Sequence, residues 1–439
     1  MSTSAATRPA PIARAMSNLS FQLPDLVALT NSFPFRINKN CKLATDKSEA
    51  WLLGTGSPEF EPPVLLEEEK EVLPSVKHGL LASLCAPAAD APQLQILADF
   101  WSLVVLSHSR ILREARGHGW PTEIEVGAAE DGLELLGSHE LLKSVVPSLT
   151  RALSSRSDDG QLRWKRQFTR SVQAFAAAQL QLSSSLQAEA VPTLPEFISL
   201  RRDTYASSMY LDLLDLFEIT SRPYGCSLKD DERIERITML AMYVTGWILD
   251  IFSFASGPGI APLTAMPTHT PTHNLVSLLT THRNLSVQGA MNYAGGMVKE
   301  ALEEIQRLER ELLPNSASSS GTNEGSGWSD WLGSGLGMVK SAVGMGDSQS
   351  TLTKSKFLAD VPLDWEGRFS ADEDIGQGQS PDQRAAETAR CVRAMKDWIV
   401  GTVHWGYESE LYFGQKGDEV RSFGWVFLNG GDSGVQRGS

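Results

Sequence analysis

Apolar residues recur at intervals of three and four along most of the chain, which is the spacing of one helix face. No stretch of useful length alternates apolar and polar residues, so the pattern predicts helices and no strands. The predicted helices are 93–114, 141–153, 161–186, 194–220, 230–256, 274–313 and 383–412. The first of them has apolar residues on nearly every turn and is predicted to be buried on all sides. The pattern therefore predicts an all-α bundle.

Three segments lack this helical period and divide the chain. Residues 1–60 carry Pro, Asn and Ser and are predicted to form an N-terminal extension before a single α-domain at 61–439. Residues 258–273 contain four prolines and are predicted to form a loop. Residues 314–385 are rich in Gly, Ser and Asp, a composition that predicts a flexible insertion. Apolar residues within 328–345 leave open that part of this insertion orders as a lid over a pocket.

Composition narrows the class of protein. The net charge is −14, which argues against general binding to nucleic acid or to an anionic membrane, since both need a basic face. The longest apolar run, 237–254, is interrupted by Thr245, Gly246 and Asp250 and is too polar to span a bilayer. The four cysteines are far apart in sequence and are interpreted as free thiols of a reducing compartment. We expect a cytoplasmic protein that does not insert into membranes.

Four segments carry a resemblance to a known family, and they occur in that family's order. They are INKNCKLATDKSEAWL at 37–52, SLRRDTYAS at 199–207, the pair WILDIFSF at 247–254 and HNLVSLLTTHRNLSVQGAMNYAGG at 273–296, and WGYESELYFGQKGDEVR at 405–421. Together these segments resemble the fungal class I sesquiterpene synthases. The resemblance implies an all-α fold, the class I terpene synthase α-helical bundle around an apolar cavity.

The resemblance also implies a chemistry. Family members bind farnesyl diphosphate and Mg²⁺ at the cavity mouth, ionise the substrate and cyclise the allylic cation, and they are often homodimers. The physical requirements agree with this scheme. Diphosphate departs only where its developing charge is neutralised, and a carbocation survives only in a dry cavity where aromatic faces stabilise it. We therefore expect farnesyl diphosphate as substrate, Mg²⁺ as cofactor and a homodimer as a further implication of the resemblance.

The first metal-binding motif of the family is largely replaced. In ADFWSLVVLSHSRIL, at 98–112, Asp99 matches an upstream aspartate of the motif, but the metal carboxylates become His108, Ser109 and Leu112. Ser and Leu are poor ligands, since Mg²⁺ prefers carboxylate and water oxygens. Asp99 remains a candidate metal ligand. For His108 two interpretations stay open, a hydrogen bond to phosphate or a helix cap.

The second metal motif normally presents Asn, Ser and Glu at i, i+4 and i+8 on one helix face. Here these positions hold Leu249, Ser253 and Gly257, and Asp250 takes the motif's second position. Ser253 remains a candidate for binding substrate and Asp250 for binding metal. Near the end of the chain the family's Arg-Tyr pair is replaced by Leu-Tyr, so Tyr412 alone remains as a catalytic candidate.

The diphosphate-sensing arginine of the family is preserved. The resemblance assigns this catalytic role to Arg202, with Tyr205 and Ala206 at the positions called linker and effector in the family. The alternative is that Arg202 is a structural residue, ion-paired with Asp203 or Asp99.

Other candidates come from their positions in the resemblance. Those expected to line the cavity are Phe100, Trp101, Val104, Met242 and Gly246, together with Trp405 as a catalytic candidate. Apolar residues on buried helices are usually plain core, and that alternative remains. The 258–273 loop, with His269 and His273, is either a solvated loop or a substitute clamp for phosphate or metal. Two histidines four apart suggest zinc only on a helix, which the prolines oppose, so we exclude a zinc site.

Three functions are compatible with these observations. The sequence favours an active sesquiterpene cyclase with degenerate motifs, and it is similar to humulene synthases, which join C1 to C11 of farnesyl diphosphate. The main alternative is a catalytically inactive protein of the cyclase fold that acts as a binding partner or scaffold, which the missing metal ligands favour. The third is an enzyme that acts without metal on a neutral prenylated substrate.

Overall fold

The computed structural model describes residues 19–55, 59–114, 119–217, 219, 231–255, 273–313, 356–359, 361–362 and 381–428. The helices up to the middle of the chain are α1 (Leu26–Leu29), α2 (Cys41–Leu52), α3 (Glu67–Val76), α4 (His78–Cys85), α5 (Ala91–Glu114), α6 (Glu123–Ala128), α7 (Gly132–Ser138), α8 (Val146–Ser154) and α9 (Asp158–Gln187). The later helices are α10 (Leu194–Thr204), α11 (Ser207–Leu216), α12 (Glu232–Ala255), α13 (Leu275–His282), α14 (Val287–Leu312), α15 (Pro381–Glu408), α16 (Glu410–Phe413) and α17 (Gly417–Phe423). Short 3-10 turns lie at Leu142–Val145 and Gly414–Lys416, and the strands are β1 (Leu19–Gln22) and β2 (Trp425–Leu428). The all-α prediction is confirmed.

Several helices begin at a side chain that satisfies free backbone N–H groups of the first turn. Ser157 opens α9, Asn274 opens α13 and Ser286 opens α14, each by accepting from a backbone N–H two or three residues further on. The Asn274 amide also donates to the carbonyl oxygen of Asp250 at 2.7 Å. This cap therefore fixes the start of α13 against the last turns of α12.

Three predicted helices are divided in the structure. The predicted helix 194–220 consists of α10 and α11, and Ala206 between them has a φ of 53°. Such left-handed backbone is unfavourable for a residue with a Cβ, so packing must hold it. The predicted helix 274–313 divides into α13 and α14, with Asn284 at a φ of 49°, and 383–412 divides into α15 and α16. Both pieces of each helix bury apolar residues, so the periodicity continues across each break.

The expectation of no strands is wrong in one place. β1 pairs antiparallel with β2, with Leu19 opposite Leu428 and Gln22 opposite Trp425. Each strand has four residues, too few to show an alternation in the sequence. The partner also lies at the opposite end of the described chain. The ladder therefore joins the first described segment to the last.

Helix α12 lies in the middle of the bundle and packs against α10, α13, α14, α15 and α16. It is the one helix among the described residues with the length and apolar composition to cross a bilayer, and 89% of that window is buried within the protein. This burial is the arrangement of a core helix. Helix α15 packs against both α4 and α12, which brings the late part of the chain onto the early part.

Residues on both sides of the predicted domain boundary at residue 60 share one apolar core. Phe21 of β1 and Ala44 of α2 are buried in the cluster that also holds the inner faces of α5 and α12. Most of the predicted insertion 314–385 lies outside the described residues, although Leu358 is buried on the same core. The predicted loop 258–273 lies outside them too, apart from its last residue.

Candidate active site

A cavity of about 70 Å³ lies between helices α4, α5, α10, α11, α12, α15 and α16. Its walls are formed by Leu81, Trp101, Val104, Val105, His108, Leu112, Arg201, Tyr205, Ser207, Thr245, Leu249, Ser253, Trp398, Thr402, Trp405, Leu411 and Tyr412. Most of this wall is aliphatic or aromatic. Ligand pockets are typically roughly 300–1,000 Å³, so a ligand larger than a few waters requires wall side chains to move.

Helix α5 supplies one wall of the cavity. Trp101, Val104, Val105, His108 and Leu112 recur at the three- and four-residue spacing of one helix face. Because a helix rises about 1.5 Å per residue, Trp101 and His108 lie on one side of α5 about 10 Å apart along its axis. The wall therefore has two levels, one at the Trp101 indole and one at the His108 imidazole.

Arg201 is the cationic group at the His108 level. Its side chain is 8% exposed, and its Nε donates to Oδ1 of Asp250 at 2.8 Å. Its Nη1 lies 2.9 Å from Nε2 of His108, and its Nη2 donates to Asp250 and to the hydroxyl of Tyr205. The guanidinium also stacks over the Tyr205 ring, 4.1 Å from the ring centre. These contacts fix a buried positive charge in the cavity wall.

Asp250 balances that charge from behind the wall. Its side chain is fully buried, Oδ1 accepts from Arg201, and Oδ2 accepts from the backbone N–H of Leu275 at 3.4 Å. Burial raises the pKa of Asp250 to about 6, and the Arg201 guanidinium opposes part of that rise. The carboxylate is therefore mainly ionised at neutral pH. A buried ion pair of this kind is costly to break, because either partner alone would be an unpaired buried charge.

The contacts of His108 determine its tautomer. The imidazole is 8% exposed, and an Arg nitrogen can only donate, so Nε2 must accept from Arg201. In the neutral ring the hydrogen is then on Nδ1. Burial, followed by the Arg201 charge, lowers the pKa of His108 well below its ordinary value, so the ring is neutral. Nδ1 has no hydrogen-bond partner among the described residues.

The aromatic part of the cavity wall is built from rings that support one another. The Trp405 indole donates to the carbonyl of Val76 at 2.8 Å, which fixes its ring, and Tyr412 meets it edge-on at 5.8 Å between centres. Tyr412 also stacks on Phe252 at 5.5 Å. Trp101 lies in the same wall, and no described residue accepts a hydrogen bond from its indole N–H. These ring faces and edges form a rigid apolar surface.

The structure brings some of the predicted site residues together and not others. Those that line the cavity are Trp101, Val104, His108, Ser253, Trp405 and Tyr412. Those that do not form its wall are Phe100, Met242, Gly246, Ala206, Arg202, Asp99 and Asp250. Phe100 and Met242 are fully buried in the core, and Gly246 lies just behind Tyr205. Asp250 takes part through its ion pair with Arg201.

Arg202, predicted as the phosphate sensor, lies outside the cavity wall. Its guanidinium pairs with Asp203 through two hydrogen bonds of 2.9 Å and lies over the ring of Tyr243. The preceding residue, Arg201, takes the place in the cavity that the sequence predicted for Arg202. Adjacent helix residues point about 100° apart, so only one of the two can face the cavity.

His108 lies well inside α5, which continues to Glu114, so the helix-cap interpretation is wrong. The last residue of the predicted loop, His273, is buried, and burial with the nearby Arg201 charge lowers its pKa to about 4. Both imidazoles are therefore neutral at pH 7. The rest of the phosphate or metal clamp predicted for 258–273, including His269, lies outside the described residues.

The described carboxylates do not form the predicted metal site. Asp99 lies in the wall of a different cavity, beside Trp51 and Gln95, and burial raises its pKa to about 7. Both oxygens of Asp250 already accept hydrogen bonds from Arg201 and Leu275. Across the described part of the chain, no group of three or more His, Cys, Asp or Glu side chains could hold a metal ion. These residues alone therefore do not fit Mg²⁺, which requires several oxygen ligands in octahedral geometry.

Sequence reasoning missed several wall residues, above all Arg201, Trp398 and Thr402. Helical spacing could have found these wall residues, with the exception of Arg201. Val105 and Leu112 follow from the same helical spacing as Trp101 and His108, and Trp398, Thr402 and Trp405 share one face of α15 at intervals of four and three. No comparable signal separates Arg201 from Arg202, because both belong to the same motif.

Comparison with known proteins agrees with this fold. Residues 131–304 match the family model described as terpene synthase family 2, C-terminal metal binding. The sesquiterpene synthase Agr1 of Cyclocybe aegerita is 25% identical over 432 residues, 95% of each chain. Sesquiterpene synthase 1 of Postia placenta is 23% identical, over 91% of this chain and 92% of the relative.

Solved structures share the architecture at lower identity. The a-eudesmol synthase structure has a TM-score of 0.53 at 18% identity, covering 85% of this chain and 96% of that one. Germacradien-4-ol synthase from Streptomyces citricolor has a TM-score of 0.52 at 15% identity, with the same coverage of both chains. Sequence and fold thus lead to one conclusion: the chain is a terpene cyclase with the all-α fold of the class I terpene synthases.

Proposed function

We propose that this enzyme is a sesquiterpene cyclase that ionises farnesyl diphosphate and cyclises the allylic cation to a hydrocarbon. The relatives that align with nearly the whole chain are named sesquiterpene synthases, which supports a substrate of 15 carbons. Similarity to humulene synthases in sequence leads us to propose closure from C1 to C11. We further propose a soluble cytoplasmic protein with one α-domain after an N-terminal extension, a flexible insertion at 314–385, and assembly as a homodimer.

The observation that carries this proposal is a buried cation set in a cavity wall that is otherwise mostly apolar and aromatic. Arg201 lies beside His108, Trp101 lies about 10 Å along α5 from His108, and Trp405 and Tyr412 line the same cavity. Arg201 has five N–H donors, of which four have acceptors among the described residues. The remaining Nη1 hydrogen is available to a ligand. An amphipathic molecule with an anionic head and an isoprenoid tail suits this arrangement.

The proposed mechanism uses the chain's own residues. Arg201 binds the diphosphate, and Asp250 holds the guanidinium in orientation. When the C1–O bond breaks, its electron pair leaves with the diphosphate, and the positive charge beside it stabilises the departing group. The allylic cation is left among ring faces of Trp101, Trp405 and Tyr412, which stabilise it and exclude water. Loss of a proton to the medium or to the diphosphate then completes the hydrocarbon.

Mg²⁺ remains part of the proposal as the counter-ion of the diphosphate. The matched family model is a metal-binding domain, which supports use of a divalent metal. Mg²⁺ usually keeps several waters and binds substrate phosphates, so it can be held with few protein ligands. No step of the proposed mechanism depends on a described carboxylate binding Mg²⁺.

Product analysis tests the proposed function. Purified protein is incubated with farnesyl diphosphate and Mg²⁺, then with EDTA, and hydrocarbons are identified by gas chromatography with mass spectrometry. We expect a Mg²⁺-dependent sesquiterpene, with humulene as the main product. A different sesquiterpene would refute the 1,11 closure alone. No product from prenyl diphosphates of 10, 15 or 20 carbons would favour the inactive binding or scaffold protein, which the lack of a metal-holding side-chain cluster among the described residues also favours.

A matched pair of variants tests which arginine binds diphosphate. We expect Arg201→Gln to lower kcat/KM by roughly a hundred-fold or more, because a charged group at the leaving oxygen is lost. The Arg202 guanidinium pairs with Asp203 outside the cavity, so the kcat/KM of Arg202→Gln should stay within about ten-fold of the parent. Arg201→Gln alone leaves the buried Asp250 carboxylate without its partner. The double variant Arg201→Gln/Asp250→Asn removes that charge and controls for misfolding. Equal losses at both arginines would return the sensor role to Arg202.

A further inference from the structure

One residue of the cavity wall, His108, has a buried ring nitrogen that forms no hydrogen bond with any described residue. This nitrogen is Nδ1, and the residue is 8% exposed. Leaving a buried donor unsatisfied is destabilising, and most native proteins avoid it. Such an atom in a ligand cavity is explained when a ligand supplies the missing acceptor.

The hydrogen on Nδ1 is fixed by the neighbouring contact. Arg201 Nη1 lies 2.9 Å from Nε2 of His108, and the guanidinium is itself held by Asp250 and Tyr205. Nε2 must accept, so the neutral imidazole presents N–H at Nδ1. Arg201 therefore positions the ring as well as supplying charge. The donor needs no rotation or proton uptake before a ligand arrives.

The level of the cavity at which His108 lies identifies the kind of acceptor. The ring is next to the Arg201 guanidinium and about 10 Å along α5 from the Trp101 indole. A hydrocarbon tail has no acceptor, whereas each non-bridging oxygen of a diphosphate is a strong one. A donor pointed at an ionised oxygen forms one of the stronger hydrogen bonds in proteins.

We propose that His108 contacts the leaving diphosphate directly, donating its Nδ1–H to a non-bridging oxygen beside Arg201. This inference rests on the proposed function and names a second group that holds the leaving group. No proton is transferred: the C1–O electron pair departs with the diphosphate, and the hydrogen bond strengthens as charge grows on the oxygens. His108 is thus a catalytic residue that acts as a neutral donor where a carboxylate would repel the anion.

Two amide substitutions separate the two nitrogens of the ring. In His108→Asn the side-chain amide reaches about as far as Nδ1, so it keeps the donor toward the ligand and loses the acceptor for Arg201. In His108→Gln the amide reaches about as far as Nε2, so it keeps the acceptor for Arg201 and loses the donor toward the ligand. His108→Leu loses both. If His108 acts only by holding Arg201, His108→Gln should bind better than His108→Asn. If His108 contacts the leaving group, His108→Asn should bind better.

The experiment is a calorimetric titration of the full chain with inorganic pyrophosphate in Mg²⁺ buffer. We expect Kd to rise roughly ten- to hundred-fold in His108→Gln and His108→Leu, because each loses one hydrogen bond to a charged acceptor. In His108→Asn, which keeps this hydrogen bond, Kd should stay within about three-fold of the parent. The proposal would be overturned if His108→Gln bound pyrophosphate as well as the parent, or if His108→Asn bound it as weakly as His108→Leu. Absence of pyrophosphate binding to the parent at millimolar concentration would overturn it too.

The same variants are assayed with farnesyl diphosphate. This assay separates the proposed cyclase function from the proposed contact between His108 and diphosphate. If pyrophosphate binding follows the expected order but no hydrocarbon forms, the leaving-group contact stands and the cyclase proposal fails. If hydrocarbon forms equally well in all three variants, the cyclase proposal stands and the role of His108 fails. Thermal unfolding of each variant confirms that lost binding is measured on folded protein.

Discussion

Arg201 and Arg202 are neighbours in sequence but have opposite surroundings. Arg201 faces the cavity and pairs with the buried Asp250, while Arg202 pairs with Asp203 outside the wall. The sequence could locate the motif but not the rotation of α10 about its axis, which depends on packing against α9 and α12. The residue types at the site were thus predictable, and the identity of the arginine in the cavity was not.

His78 provides a prediction at the same scale. It is 5% exposed, its Nδ1 lies 2.9 Å from the Ser102 hydroxyl, and burial lowers its pKa to about 3. The unfolded chain takes up a proton near pH 6.5 while the folded protein does not, so stability is lost as the pH falls below 6.5. Between pH 7.5 and 5.5 the protonation of His78 in the unfolded chain accounts for about 1 kcal/mol of lost stability. We expect His78→Asn to lose less stability over this range, by that amount.

The measurement is urea unfolding of parent and variant at the two pH values. Buried His108 and His273 titrate in both proteins and cancel in the difference. The same substitution at the exposed His282 is the matched control. An unchanged pH dependence in His78→Asn would contradict the assignment of this loss to His78.

At the scale of elements, helical periodicity predicted most helices and one wall of the cavity. The α5 wall follows from spacing alone, since Trp101, Val104 and His108 share a face. The breaks at Ala206 and Asn284 could not be predicted, because each is a single residue with positive φ and the apolar period continues beyond it. They depend on tertiary packing, which a pattern of apolar positions does not record.

The crossing of α12 and α15 gives a prediction about packing. A Cβ at Gly406 of α15 would overlap the ring of Phe252 on α12, which supports Tyr412 in the cavity wall. We expect Gly406→Ala to lower the free energy of unfolding by about 1–3 kcal/mol, the usual cost of overpacking, and to reduce turnover.

Gly137 of α7 is the matched control for this substitution. Its added Cβ would contact nothing within 4 Å, and the residue is exposed. Gly137→Ala should therefore raise stability by about 0.5–1 kcal/mol through helix propensity. Both variants are compared by chemical unfolding. Equal effects of the same sign would show that the Phe252 contact does not limit the approach of the two helices.

At the scale of the molecule, the fold was predictable because four motif segments occur in family order across the chain. The β1–β2 ladder was not, because its two short strands lie far apart in sequence. Removing β2 by ending the chain after Gly424 should lower stability by roughly 1–3 kcal/mol, since β1 loses its backbone partners and Phe21 loses Val426, the residue opposite it. Ending the chain after Leu428 is the control. Thermal unfolding compares the two, and equal Tm values would contradict a stabilising ladder.

The position of α15 has a consequence for synthesis. Trp398, Thr402 and Trp405 form their side of the cavity from a helix that begins at Pro381, and this helix packs on α4, made some 300 residues earlier. While the chain is still being translated, α4, α5 and α12 can form only part of the cavity wall. Without α15 this part is an apolar groove open to water. Contacts of such high sequence separation form late and are slow. A nascent chain therefore exposes this apolar groove until α15 has been made, and this interval is when a chaperone would be needed.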